Sequence, residues 1–134
     1  MSWRRALANE AVEFLSVDEA IAIQDLLVEQ FGGQRGVRDE GMLEASLYRP
    51  QTGGYSDLAA MAAALFDALL FNHAFHSANR RIAFFATDVF LRINGYRLDV
   101  DAGDASRFIE NLVGHDHAHR AALLPLLRRS IIVI

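Results

Sequence analysis

An all-α fold is what this sequence predicts, and three observations predict it. Apolar residues recur at helical spacing through most segments long enough to show a period. Capping residues stand where those segments begin, and glycine or proline stands where they end. Hydrophobic residues make up 52% of the chain and only two prolines interrupt it, so there is material for a helical core. About six helices are expected, with the third and fourth at the centre and a polar turn between them.

Ser16 and Glu19, in "SVDE", have the spacing of a capping box, in which each side chain satisfies the other's free backbone N–H. Behind them Ala20, Ile23, Leu27 and Phe31 recur at helical spacing, and "FGG" supplies glycines suited to a C-cap. "GVRDEGMLEASLYRP" predicts a helix of about two to three turns, starting near Asp39 and stopped by Pro50. "QTGGYS" reads as loop or hairpin. Asp57 caps a third helix running to about Asn72, with alanine at 59, 60, 62, 63, 64 and 68, so neighbouring backbones can approach closely. In the fourth, Ile82, Phe85, Ala86, Val89, Phe90 and Ile93 form one apolar stripe, Gly95 follows the end, and Asp88 and Arg92 pair on the opposite side. "YRLDV" is a brief extended segment. "DASRFIENLVG" is a fifth helix with Phe108, Ile109, Leu112 and Val113 inward. "HAHRAALLPLLRRS" is a sixth, which Pro125 is expected to kink or divide. The apolar tail "IIVI" is expected to pack on the body or be covered by a partner.

The 134 residues read as one domain, 1–134, able to bury roughly two thirds of its unfolded surface. Formal charge is −4, and all 13 basic residues are arginine. A mildly acidic surface argues against broad nucleic-acid binding, although local arginine clusters can grip single phosphates. The absence of cysteine excludes disulfides, zinc–thiolate centres and thiol catalysis. The N-terminal residues have no apolar stretch of signal type, and Asp67 and Asp88 break the longest apolar segments. The expectation is a soluble cytoplasmic protein that does not enter membranes, of open oligomeric state.

The chemistry concentrates in "NHAFHSANRR", residues 72–81. A helix starting near Asn79 offers unpaired N–H groups and partial positive charge, a natural seat for an anion. Arg80 and Arg81 add two guanidinium forks there, although cations disfavour a helix N-terminus; a bound anion removes that conflict. His73, at the end of the preceding helix, faces the same spot as a base for an attacking hydroxyl. A base beside an anion hole is the minimal kit for phosphoryl or nucleotidyl transfer. The competing reading is an ordinary polar turn of caps and solvated charge.

The same residues resemble the signature of the Fic/Doc family, which runs His, any, Phe, any, acidic, Gly or Ala, Asn, then Lys, Arg or Gly, then Arg. Here the frame holds His73, Ala74, Phe75, His76, Ser77, Ala78, Asn79, Arg80 and Arg81. "FGGQRGVRDEGMLEASLYRPQ" upstream and "FLRINGY" downstream are also similar to Doc-type members, so the likeness covers about residues 20 to 100. The resemblance implies a helical fold with the motif loop between two central helices. It implies His73 as the base, Asn79, Arg80 and Arg81 as the phosphate clamp from a nucleoside triphosphate such as ATP, and Phe75 and Ala78 as structural members of the loop. Arg49, Gln51, Gly53, Gly54 and Tyr55 match the flap on which family members dock their targets. Arg80 resembles the lysine of Doc-type kinases rather than the glycine of AMP transferases. Phe84 stands where many AMP transferases carry a further arginine. Ser77 replaces the acidic residue that ligates Mg²⁺, leaving the metal ligand unknown.

What the resemblance implies is therefore a Doc-like toxin that phosphorylates a hydroxyl of a translation protein, with elongation factor Tu as the family expectation. A cognate antitoxin would cover its site with an inserted helix. A protein AMP or nucleotidyl transferase is the alternative, as is a catalytically degenerate member that binds nucleotide or antitoxin.

Other candidates read more plainly. His76 is three residues from His73 but shows no third ligand, so it is expected to face solvent. His115, His117 and His119 alternate, yet a helix start would align only the first and last. Asp67 is expected to face solvent, the commoner case, rather than to serve as a buried partner for an arginine. Trp3, Arg4 and Arg5 are assigned packing at most.

Overall fold

The computed structural model describes residues 11–113 and 116–134. Trp3, Arg4, Arg5 and His115 lie outside the described residues, as do the side chains of Leu112, Val113, His117 and His119. Six α-helices appear among the described residues, in chain order: α1 (Val17–Phe31), α2 (Glu40–Tyr48), α3 (Leu58–Phe71), α4 (Asn79–Ile93), α5 (Ala102–Val113) and α6 (Asp116–Ser130). A 3₁₀ turn, Arg49–Gln51, extends α2, and short strands β1 (Tyr96–Leu98) and β2 (Ile131–Val133) pair antiparallel.

The caps form as the local sequence dictates. Ser16 Oγ accepts the Glu19 N–H at 3.1 Å and Glu19 Oε1 accepts the Ser16 N–H at 3.0 Å, completing the capping box of α1. Asp39 and Asp57 accept the N–H groups of Met42 and Ala60, which starts α2 and α3 where expected. Asp57 also meets Arg128 of α6 at 3.2 Å, so one carboxylate serves both cap and ion pair.

α3 is buried on nearly every side, from Leu58 and Ala59 through Leu65, Phe66 and Leu69, as a helix apolar all round must be. Its most extensive partner is α4. The face of α4 differs from the predicted stripe. Phe84, Thr87 and Leu91 are buried as well, Phe85 and Val89 are only partly buried, and Ile93 is exposed. The reason is enclosure: α1, α3, α5 and β1 all pack on α4, so no single stripe describes it. Phe108 of α5 meets Phe66 of α3 and Phe84 of α4 edge-on, with centroids 6.2 and 5.5 Å away, and this closes the core.

Two further expectations are corrected. Pro125 does not divide α6, which runs unbroken through it. Leu123 and Leu127, both buried, hold the helix against α3 on either side of the missing N–H. Phe31, expected among the inward residues of α1, is 47% exposed at the end of the helix. The helical class holds, with only two three-residue strands beside the helices among the described residues, and the extended segment expected at "YRLDV" supplies the first of them. The tail does pack on the body: Leu98 pairs with Ile131 and Tyr96 with Val133, while Ile131, Tyr96 and Leu98 are buried. In "QTGGYS", Gln51 ends the 3₁₀ turn and the rest forms bend and loop without strand pairing, with Gly53 and Gly54 at φ of 89° and 82°.

Candidate active site at the α3–α4 junction

The turn between the central helices is built around a buried ring. Phe75 is 1% exposed and anchors the loop in the core. Its N–H donates to Asn79 Oδ1 at 3.1 Å and its carbonyl accepts from Asn79 Nδ2 at 2.9 Å. Asn79 thus closes the loop on itself and keeps one amide hydrogen for another partner. Two non-glycine residues here have left-handed backbone, His73 at φ 49° and Ala78 at φ 67°, a conformation that costs an L-residue roughly 1–2 kcal/mol.

A second segment holds the loop in that shape. Val37 and Phe75 form an antiparallel bridge, with His76 N–H donating to the Gly36 carbonyl at 3.1 Å. The Ala74 carbonyl accepts from the N–H groups of Arg38 and Asp39, at 2.7 and 3.0 Å. Arg38 Nε donates to the His73 carbonyl at 2.7 Å, and its fork reaches the Asn72 carbonyl at 3.5 Å. Gln24 is fully buried and shapes this segment from below, donating to the Gln34 carbonyl and accepting the Gly36 N–H.

Ser77 is tied to the same segment, its Oγ accepting the Gln34 N–H at 2.9 Å. A Cβ added at Gly33 would lie 3.0 Å from Ser77 Cβ, and Gly33 has φ 115°, so the approach requires glycine twice over.

α4 then starts from Ala78 as its N-cap, with no side chain capping it, so the first N–H groups are left without an intrahelical partner. Arg80 is exposed there. The Arg81 guanidinium lies over the Phe31 ring, 4.3 Å from its centroid, a cation–π contact that restrains its fork. These groups line one cleft of about 480 Å³, within the range of small-ligand sites. Its walls bring together His73, His76, Ser77, Ala78, Asn79, Arg80 and Arg81 with Ser106, Ile109 and Glu110 of α5.

The predicted residues of the motif therefore share one cleft, with Phe75 beneath it. The flap residues do not join them. Arg49 and Tyr55 line a separate cleft of about 480 Å³ between α3 and α6, while Gln51, Gly53 and Gly54 are exposed. Asp67 is 7% exposed and bonded to Arg49 at 2.6 Å, so the expectation that it faces solvent is overturned. The alanines of α3 leave room for the guanidinium to reach it. Burial works against the charge on Arg49, but its hydrogen bonds and Coulombic attraction to Asp67 and Tyr55 prevail and raise its pKa. His76 is exposed beside the first cleft, and among the described residues no group of three His, Cys, Asp or Glu side chains is arranged to hold a metal. Nor is any helix among them long and apolar enough to cross a membrane.

Sequence reasoning missed Gln24, Arg38, Ser106 and Glu110. Arg38 sits in the quoted stretch "GVRDEG", where an arginine just before a capping Asp is its only signal. Ser106 and Glu110 flank the inward residues Phe108 and Ile109, but nothing local says that this edge of α5 faces the motif.

Comparison with known proteins agrees with the geometry. A sequence model of the Fic/DOC family matches residues 14–91. The chain is 43% identical over 76 residues to Toxin Doc of Mycolicibacterium smegmatis, an overlap of 53% of this chain and 58% of that protein. It is 33% identical over 88 residues to Protein kinase doc of Escherichia phage P1, covering 63% of this chain and 70% of the relative. The overlap with the mycobacterial protein is thus less than two thirds of that protein's length. The motif loop lies inside both the matched region and the cleft, and on these grounds the chain belongs to the Fic/Doc family.

Proposed function

We propose that this protein is a Doc-like toxin of a toxin–antitoxin pair, transferring the γ-phosphate of a nucleoside triphosphate, ATP among them, to a hydroxyl of a translation protein. Elongation factor Tu is the target the family suggests. One observation carries the reading: a single cleft is lined both by His73 and by the uncapped start of α4 with Arg80 and Arg81.

His73 in its neutral form accepts the proton of the target hydroxyl as that oxygen bonds to the γ-phosphorus. The bond from phosphorus to the bridging oxygen breaks, and the electron pair leaves on the nucleoside diphosphate. Charge spreading over the phosphate oxygens in the transition state would meet the N–H groups of α4, fixed by the helix before the reaction begins, and the two guanidinium forks beside them. His73 then passes its proton to solvent. Arg80 supports phosphate rather than nucleotide transfer, because a bulky cation at this position resembles the lysine of Doc-type kinases rather than the glycine of AMP transferases.

Mg²⁺ binds hard oxygen ligands and commonly uses one or two carboxylates together with substrate phosphates and waters. The cleft fits that pattern modestly: Ser77 and Glu110 are the side chains that would hold the ion, which would supply positive charge to the phosphates. Ser77 brings a neutral oxygen with one lone pair already taken by Gln34. That engagement favours a second reading, a member that binds nucleotide or antitoxin without turnover.

The test uses purified protein, a bacterial lysate, Mg²⁺ or Mn²⁺, and ATP labelled in the α or γ position, with His73→Ala as control. Label reaching a lysate protein from the γ position alone, and lost in the variant, is the expected result. Transfer from the α position would make the protein a nucleotide transferase. No transfer from folded protein that binds nucleotide would support the second reading.

A further inference from the structure

We propose that Arg38 is a positioning residue for His73, fixing the backbone that aims the imidazole without entering the cleft. The inference rests on the reading of His73 as the base, and its test separates the two. Three observations carry it. First, His73 holds φ 49°, a conformation that a β-carbon disfavours and that reverts unless its neighbours determine it. Second, the peptide units around it are pinned from one residue. Arg38 Nε donates to the His73 carbonyl at 2.7 Å, its fork reaches the Asn72 carbonyl, and its own backbone N–H donates to the Ala74 carbonyl at 2.7 Å. Three successive carbonyls are thus held by Arg38. Third, Arg38 is absent from the cleft lining, so it acts through His73 rather than on a bound phosphate.

The charge matters as well as the geometry. The carbonyls of Asn72 and His73 close the C-terminus of α3, where partial negative charge collects and a cation is favoured. A planar guanidinium bonds two of them from a fixed fork, whereas a lysine brings one mobile point charge. Arg38→Lys keeps the dipole interaction but loses the fork, which separates charge from geometry. The backbone N–H to Ala74 survives any side-chain change, so the bridge between Val37 and Phe75 is retained and the fold with it.

The experiment follows the His73 backbone and the chemistry in parallel, for the intact chain and for Arg38→Ala, Arg38→Lys and His73→Ala. The three-bond coupling between the His73 N–H and Hα, with the Cα and Cβ shifts, reports φ whether or not the protein turns over. Arg38→Ala is expected to lose the left-handed signature or to broaden it by exchange, with thermal midpoint nearly kept. Transfer of γ-label is expected to fall roughly 10- to 100-fold in kcat with KM for ATP little changed, since misplacing a catalytic group by about an ångström has that order of effect. Arg38→Lys should recover only part of both. An unchanged His73 signature in Arg38→Ala would overturn the proposal, as would full recovery by lysine. If His73→Ala transfers label as well as the intact chain, the base reading fails, and the backbone measurement still decides what Arg38 does.

Discussion

Ser77 occupies the position where the family has an acidic residue, and its surroundings say how the chain accommodates the change. Its Oγ accepts the Gln34 N–H, and its Cβ packs where only a glycine at 33 leaves room. An aspartate shares that Cβ, so Ser77→Asp keeps the contact with Gly33 and replaces a neutral acceptor with a charged one. Hard divalent cations prefer charged carboxylate oxygens to neutral hydroxyls, and even hydrogen bonds gain from the charge, at about 1.5–3 kcal/mol against roughly 1 for a neutral pair. Mn²⁺ titration in the presence of ATP, read by electron paramagnetic resonance, is therefore expected to show affinity raised about tenfold or more in Ser77→Asp. An unchanged titration would mean that residue 77 does not face the metal. At this scale the motif was legible because its residues are contiguous and their chemistry is unusual. Gln24 was not, since a buried glutamine on an amphipathic helix looks like any polar flank until the segment it holds is folded against it.

Among the elements, local signals were reliable and enclosure was not. Ser16, Asp39 and Asp57 start their helices through bonds within three residues, and such bonds are written in the sequence. The face of α4 depends on four other elements, and the pairing of β1 with β2 joins residues far apart in the chain, so neither has a local signature. Pro125 is the sharpest case. Proline inside a helix removes a hydrogen bond and crowds the preceding turn, at about 3 kcal/mol, yet α6 runs through it because Leu123 and Leu127 are buried on either side. Pro125 itself is exposed. Pro125→Ala restores the donor without touching the core and gives back some unfolded-state entropy, a loss of about 0.4–1 kcal/mol. The net expectation is a stabilisation of about 2 kcal/mol or slightly more by urea denaturation. A lower midpoint would show that the proline geometry is needed where α6 meets α3.

On the scale of the whole molecule, α4 separates chemistry from anchorage. Its N-terminus opens on the cleft, and its C-terminus is bound to the strands and to the start of the described chain. Leu98 N–H donates to Asp88 Oδ1 at 2.9 Å, Asp88 pairs with Arg92 at 2.7 Å, and Asn94 exchanges hydrogen bonds with the backbone of Glu13. Fifteen helical residues put these ends roughly 22 Å apart. Ile131 is the deepest residue of the tail at 5% exposed, and it joins the same core cluster as Leu98 and Tyr96. Truncating a buried isoleucine costs the transfer of its side chain plus the cavity left behind, about 2–5 kcal/mol. Ile131→Ala is therefore expected to lower unfolding free energy by that amount while ATP affinity, measured by calorimetry below the transition, stays within about twofold. Stability and binding falling together would mean that α4 transmits strain along its length, and that the tail helps to shape the cleft. Binding held constant as stability drops would mean that the loop's own bonds, from Arg38, Gln24 and Asn79, suffice to keep the cleft in form.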